Sequence, residues 1–231
     1  GIGDKRWTES HKREILDSRV LGTGLLASTL AGLDPKPSVM VSASAIGWYG
    51  DRGDEILVES APQGSGFLAD VVAAWEAAAQ PAADAGIRVV HPRTGIVLSR
   101  DSLVIGRLLL PFKLGAGGRM GSGDQWWSWI ALDDVVRALT NLAFVSALAG
   151  PVNLTAPNPV TNQEFVDTFG SVLRRPTVLP TPSLAIKSIL GSELAEALVF
   201  QSQRVVPARL LEDGFGVDYP NLREALESAI A

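Results

Sequence analysis

The residues best placed to do chemistry lie in Ser38–Glu55, "SVMVSASAIGWYGDRGDE". A short apolar run ends in Ser42 and Ser44, then opens into a loop rich in Gly and Asp that carries Tyr49. A hydroxyl at the carboxyl end of a buried parallel strand faces the crevice where open α/β sheets take their ligands. There a serine can orient a carbonyl or a hydroxyl, and a neighbouring phenol can exchange a proton with it. The same serines also suit a plain strand end whose small side chains pack against a helix. No G-x-S-x-G elbow surrounds either serine, and His11 and His91 are distant in sequence, so a hydrolase triad finds no support. "GTGLLA", Gly22–Ala27, has the spacing of a dinucleotide fingerprint, but that motif needs a strand before it to aim a helix N-terminus at a pyrophosphate. Here "REILDSRV" precedes it and reads as helix, which makes the match a decoy. In "QWWSW", Trp127 and Trp129 share one face of an extended segment and Trp126 takes the other, so one face suits a core or the wall of a pocket.

The elements that must position these residues follow from periodicity and punctuation. Residues 4–19 and 21–33 read as two helical stretches, with Thr8 or Ser10 as a cap for the first. "SVMVSAS" is compact, β-branched and bounded by turn residues, as a buried strand is. The Ala-rich segment 67–85 reads as a helix that Pro81 kinks or ends, and Gly86 leads into "IRVVHPRTGIVL", a returning parallel strand. Residues 108–127, with five glycines and no periodicity, read as a long irregular loop of the kind that is often functional. A helix over 133–146, a short strand "PVNLTAP" and a proline-punctuated helical region over 160–231 complete the chain. Strands alternating with helices of this length indicate the α/β class.

Composition narrows the function. The chain has 231 residues, 46 % apolar and 19 % charged, with a formal net charge of -5. That balance gives no basic footprint for nucleic acid. The absence of cysteine excludes disulfides and thiolate metal sites. No apolar run approaches the roughly 18 residues of a membrane span, so the expected location is the cytoplasm, without a membrane partner.

Several long motifs occur in order: "GIGDKRWT", "VSASAIGWYGDRGDE", "AWEAAA", "RTGIVL", "GSGDQWWSWIALDDV", "GPVNLTAPNPVTNQEF" and "QRVVPARLLEDGF". Over essentially its whole length the chain resembles the atypical extended short-chain dehydrogenase/reductases of the nucleoside-diphosphate-sugar epimerase family. The resemblance implies a doubly wound Rossmann sheet, residues 1–98 and 129–156, with a small helical substrate domain, residues 99–128 and 157–231. It implies NADP(H), or alternatively NAD(H), between them. Ser44 then occupies the catalytic-serine position. Ser42, Ala43, Thr94, Gly95 and Ile96 run along the cofactor, and Ala131 stands where the family usually has His. The substrate would be a nucleotide sugar or another carbonyl compound, and members of this class are often homodimers. Trp7, Lys113, Gln125, Trp127 and Arg204 are the candidates for lining its pocket, the two cations suiting an anionic group.

Two departures from the family pattern shape the reading. Family members open with a strand, a Gly-rich turn and a helix, so about 60–70 residues of the Rossmann half are expected before Gly1. The usual Tyr-x-x-x-Lys pair is also absent, because Phe67 and Val71 fall at its positions. A proton must then come from elsewhere: Tyr49 is the first candidate, with Asp51 and Glu76 behind it. The reading is an NADP(H)-dependent oxidoreductase or epimerase-like enzyme; the alternative is a non-catalytic NADP(H) sensor that acts through a partner.

Overall fold

The computed structural model describes residues 1–230. Helix α1 runs unbroken over Glu9–Ala31, capped by Thr8, whose hydroxyl accepts from the His11 amide at 3.2 Å. The two helices expected from sequence are therefore one, and Gly22 and Gly24 sit in its interior rather than in a phosphate loop. Each helical Gly costs about 1 kcal/mol relative to Ala, too little to interrupt a helix that α2 and α3 pack against.

The strand after it is read in two short ladders, β1 (Val39–Val41) and β2 (Ser44–Ala45). A single turn of 3₁₀ helix, Ile46–Tyr49, follows, then β3 (Ile56–Leu57). The helical segment expected over 67–85 is broken as Pro81 requires, into α2 (Phe67–Ala77) and α3 (Gln80–Asp84) with the proline in the first turn of α3. Strand β4 (Arg88–Thr94) lies at the centre of a parallel sheet, between β1 and β2 on one side and β8 (Gly150–Leu154) on the other.

Gly95 separates β4 from β5 (Ile96–Leu98), which pairs in parallel with β7 (Trp129–Ala131). A Cβ at Gly95 would stand 2.6 Å from the Ser128 carbonyl oxygen, so glycine is required by this close approach of two backbones. The stretch expected as a long loop is half helical. Helix α4 (Leu103–Lys113) is capped by Ser102 and admits Pro111 near its end, and the irregular part is confined to 114–125. Strand β6 (Trp126–Trp127) precedes β7, and α5 (Leu132–Phe144) follows it.

The C-terminal region is mainly helical. Strand β9 (Val160–Thr161) pairs antiparallel with β6, and α6 (Asn162–Leu173) starts with a capping box between Thr161 and Glu164. Helices α7 (Ser183–Leu190) and α8 (Ser192–Ala195) lead into a π-turn, Glu196–Phe200. Strand β10 (Arg204–Val205) returns to pair in parallel with β3, followed by α9 (Ala208–Glu212) and α10 (Leu222–Ile230).

Apolar cores fix these layers, a small one of Ile46, Tyr49, Leu57 and Val205 among them. Met40, Val89 and Ile87 pack against Ala27, Ala79 and Ala82 on the α1–α3 side of the sheet. Val90, Val152 and Leu154 meet Ala138, Leu142 and Leu210 on the other side. The largest core joins Trp127, Trp129, Phe112, Phe165 and Phe169 with α10. No helix among the described residues is long and apolar enough to cross a membrane.

Candidate active site

Strand register builds the first half of the site. Ser44 pairs with Arg93, and Arg93 pairs with Asn153, so three polar residues stand side by side on neighbouring parallel strands. Side chains alternate between faces with period two, so all three project to the same side of the sheet. Helix α2 brings Glu76 onto them. Its carboxylate accepts Arg93 Nε at 2.8 Å and Nη2 at 2.9 Å, a bidentate pair, and also the Ser44 hydroxyl at 2.6 Å. Arg93 is 2 % exposed and its guanidinium lies 4.0 Å from the centre of the Trp48 ring.

Tyr49 closes this network from the 3₁₀ turn. Its hydroxyl donates to Asn153 Oδ1 at 2.6 Å and accepts from Arg93 Nη1 at 3.3 Å. Asn153 in turn donates its side-chain amide to the Val206 carbonyl and its backbone N–H to Glu59 Oε1. Tyr49 is fully buried, and burial pushes its phenol above the usual tyrosine range against the opposing pull of Arg93. A phenol held this way lines neither cavity described below, because the 3₁₀ turn that carries it is buried. His91, on β4 beneath the same helix, is kept neutral by burial, its pKa held below the ordinary histidine value despite the attraction of Glu76.

Beyond the strand ends two cavities adjoin. The first is a cleft of about 260 Å³ at the carboxyl ends of β2 and β4. Ala45, Ile46 and Gly47 form one wall, Thr94, Gly95 and Ile96 another, and Leu68, Val71, Val72 and Trp75 of α2 a third. Val71, at the position where the family pattern has its lysine, thus reaches the cleft with an apolar side chain. Its polar groups are few. Arg19 stacks 5.2 Å from the Trp75 ring, and the buried Gln201 Oε1 has no hydrogen-bond partner.

The second is a chamber of about 610 Å³ between α4, α7 and the π-turn, and it shares Ile96, Trp127 and Leu198 with the cleft. Trp127 is fixed by its Nε1 donating to the Val199 carbonyl at 3.2 Å and by a tilted contact with Phe165 at 5.0 Å.

Of the residues singled out in the sequence, Thr94, Gly95, Ile96 and Trp127 meet around these cavities. Ser44 lies one residue behind the wall residue Ala45, turned toward Glu76. Ser42 is buried in the strand ladder and Ala43 is exposed; neither lines a cavity. Four substrate candidates also lie outside both walls. Trp7 packs edge-on to Phe67 at 4.9 Å, and Arg204 lies over the Trp126 ring at 4.1 Å. Gln125 spends its amide on the Met120 and Val199 carbonyls, and Lys113 is exposed at the end of α4. In each case a nearer ring, carbonyl or solvent satisfies the group. Arg19, Trp75, Leu198 and Gln201 were not found from sequence, because helices and a π-turn far apart in the chain carry them to the cleft.

Comparison with known proteins agrees with this geometry. The model of the NAD dependent epimerase/dehydratase family matches residues 1–148, and a domain of unknown function (DUF1731) matches residues 181–229. An epimerase family protein of Mycobacterium leprae is 41 % identical over 228 residues, covering 99 % of this chain and 73 % of the relative. The human epimerase family protein SDR39U1 is 34 % identical over 228 residues, covering 98 % of this chain and 77 % of the relative. The crystal structure of isoform 2 of that human protein with NADPH superposes with a TM-score of 0.93, at 34 % identity, over 99 % of this chain and 78 % of that one. A nucleoside-diphosphate sugar epimerase from Corynebacterium glutamicum gives a TM-score of 0.77 at 38 % identity, covering 97 % of this chain and 44 % of that one. The parallel sheet, the strand-end cleft and the helical C-terminal region together carry the family's architecture, and the chain belongs to the NAD dependent epimerase/dehydratase family.

Proposed function

We propose that this chain is an NADP(H)-dependent oxidoreductase or epimerase-like enzyme whose cleft receives the nicotinamide end of the cofactor and whose chamber receives the substrate. The observation that carries the reading is the adjacency of the two cavities across Ile96, Trp127 and Leu198 at the carboxyl ends of parallel strands. The cleft suits a flat, uncharged ring bearing a carboxamide. Its walls are mainly apolar, from Ala45, Ile46, Leu68, Val71, Val72 and Ile96, with Thr94 and Gln203 among the polar residues on them. NADPH bound to the human relative supports the choice of cofactor. When bound, the nicotinamide supplies a hydride donor or acceptor.

The residues of this chain supply position and a proton. Thr94, Gly95 and Ile96 hold one edge of the cleft and Ala45–Gly47 the other, at a spacing fixed by the β2–β4 ladder. Ser44 holds a movable proton on Oγ, directed at Glu76 Oε1. The Arg93 pair fixes the Glu76 carboxylate, so Ser44 has one orientation. Tyr49 acts through Arg93 and Asn153 as a positioning residue. The division into a Rossmann unit (1–98 with 129–156) and a substrate unit (99–128 with 157–231) belongs to the same proposal. Positioning of this kind supplies a large part of catalysis in such sites.

Titration of the purified protein with NADPH and NADH, read by tryptophan fluorescence, tests the reading. Saturable binding in the micromolar range is the expected result. Absence of binding by either nucleotide would overturn it.

A further inference from the structure

The chamber is built for a different kind of molecule than the family name suggests. Its walls are Val104, Leu108 and Phe112 from α4, and Ile186, Leu190 and Leu194 from α7 and α8. At about 610 Å³ it falls in the range that encloses a drug-sized ligand. A nucleotide sugar carries a diphosphate, a ribose and a hexose, and each buried hydroxyl needs a partner. The side-chain hydroxyl on the chamber wall, that of Thr181, already faces the Gly118 carbonyl at 3.3 Å.

Charge is gathered among the exposed residues of the chamber. Lys5, Arg6 and Arg107 line the chamber with a single carboxylate, Asp4, beside them, and all four are exposed. Arg107 is anchored to the Gly3 carbonyl at 2.6 Å and Arg6 to the Ser188 carbonyl, both backbone acceptors, so three cations beside the one carboxylate of Asp4 leave a net positive charge. Cations at the rim of an apolar chamber complement a ligand with an apolar body and an anionic end.

Building on the functional reading above, we infer that the substrate class is an apolar carbonyl or alcohol compound ending in a carboxylate or phosphate, not a nucleotide sugar. The apolar body fills the space between α4 and α7, and the anionic end lies at Lys5, Arg6 and Arg107. The carbon that reacts lies toward Ile96, Trp127 and Leu198, where chamber and cleft meet.

Decanoate, decan-1-ol and UDP-glucose are suitable probes, each titrated into the protein with and without NADPH and read by calorimetry. Decanoate is expected to bind saturably and decan-1-ol at least tenfold more weakly, with no displacement of decanoate by UDP-glucose. Arg6→Gln combined with Arg107→Gln should weaken decanoate about tenfold and leave decan-1-ol unchanged. Leu108→Glu should abolish both, with far-UV circular dichroism confirming that it folds. Failure of decanoate to saturate, or its displacement by UDP-glucose, overturns this inference whatever NADPH does. Loss of NADPH binding with decanoate binding intact overturns the functional reading and leaves the chamber assignment standing.

Discussion

Two neighbouring regions at the strand ends solve opposite problems. Beneath α2, Ser44, Glu76, Arg93, Tyr49 and Asn153 form a closed network in which each charge and hydroxyl is matched at 2.6–3.3 Å. Beside it, the cleft, which α2 also walls, and the chamber are lined mainly by apolar side chains, with cations at the chamber rim. Buried charge tolerates little error in geometry, because an unpaired ion in a low-dielectric interior is costly. Apolar walls discriminate by shape and by excluding unpaired polar groups. The contrast therefore separates what holds the site in place from what chooses its occupant.

The largest expected effect breaks the network at its centre. Glu76→Ala strands Arg93 without its partner and should destabilise by about 3–5 kcal/mol, read from the denaturation midpoint. The double variant Glu76→Leu with Arg93→Met should recover most of that loss. A double variant no more stable than Glu76→Ala would show that the network contributes more than paired charge.

Two smaller changes sharpen the picture at the network's edges. Tyr49→Phe leaves Asn153 Oδ1 unsatisfied and should cost about 1–3 kcal/mol in urea unfolding. Burial raises the Tyr49 pKa, so the folded state favours the neutral phenol. Its contribution is fully present below about pH 10 and is lost as pH rises through the folded pKa. The alkaline fall in stability should therefore be shallower in Tyr49→Phe than in the parent protein.

His91 gives the complementary acid limb. Its depressed pKa means that the unfolded chain takes up the proton first, so stability present above about pH 6.5 is lost on acidification. Thermal midpoints measured from pH 7.5 to 5 should fall, and His91→Asn should flatten that slope. An unchanged slope would assign the acid sensitivity to other groups.

The smallest effect lies on the other side of the comparison. Ile189, 76 % exposed at the chamber, should tolerate replacement by Ser within about 0.5 kcal/mol. The same change should weaken decanoate severalfold. A large stability loss there would mean that the chamber wall is structural after all.

Much of the architecture was legible in residue order. The Pro81 break, the β4 strand after Gly86, the helix after Ala131 and the helical C-terminal region all follow local rules. The decoy status of "GTGLLA" was legible too, because a fingerprint without a strand before it has nothing to aim. Local rules failed where packing outweighed them: α1 runs through Gly22 and Gly24, and α4 runs through Pro111 inside what reads as a loop.

The site was only partly legible for a related reason. Thr94, Gly95, Ile96 and Trp127 could be named because a strand end or a shared face is a local property. Sequence alone determined the parallel α/β class, the position of Ser44 at a strand end and the absence of the Tyr–Lys pair, since each is written in residue type and spacing. Tertiary structure alone decided that Ser44 turns to Glu76, that Tyr49 is buried against Asn153, and that Arg19, Leu198 and Gln201 meet Thr94 and Trp127 around one cleft. Those outcomes depend on strand register and on which helix covers which face. Register and packing arise from contacts between segments separated by tens to over a hundred residues, where sequence pattern carries no local signal.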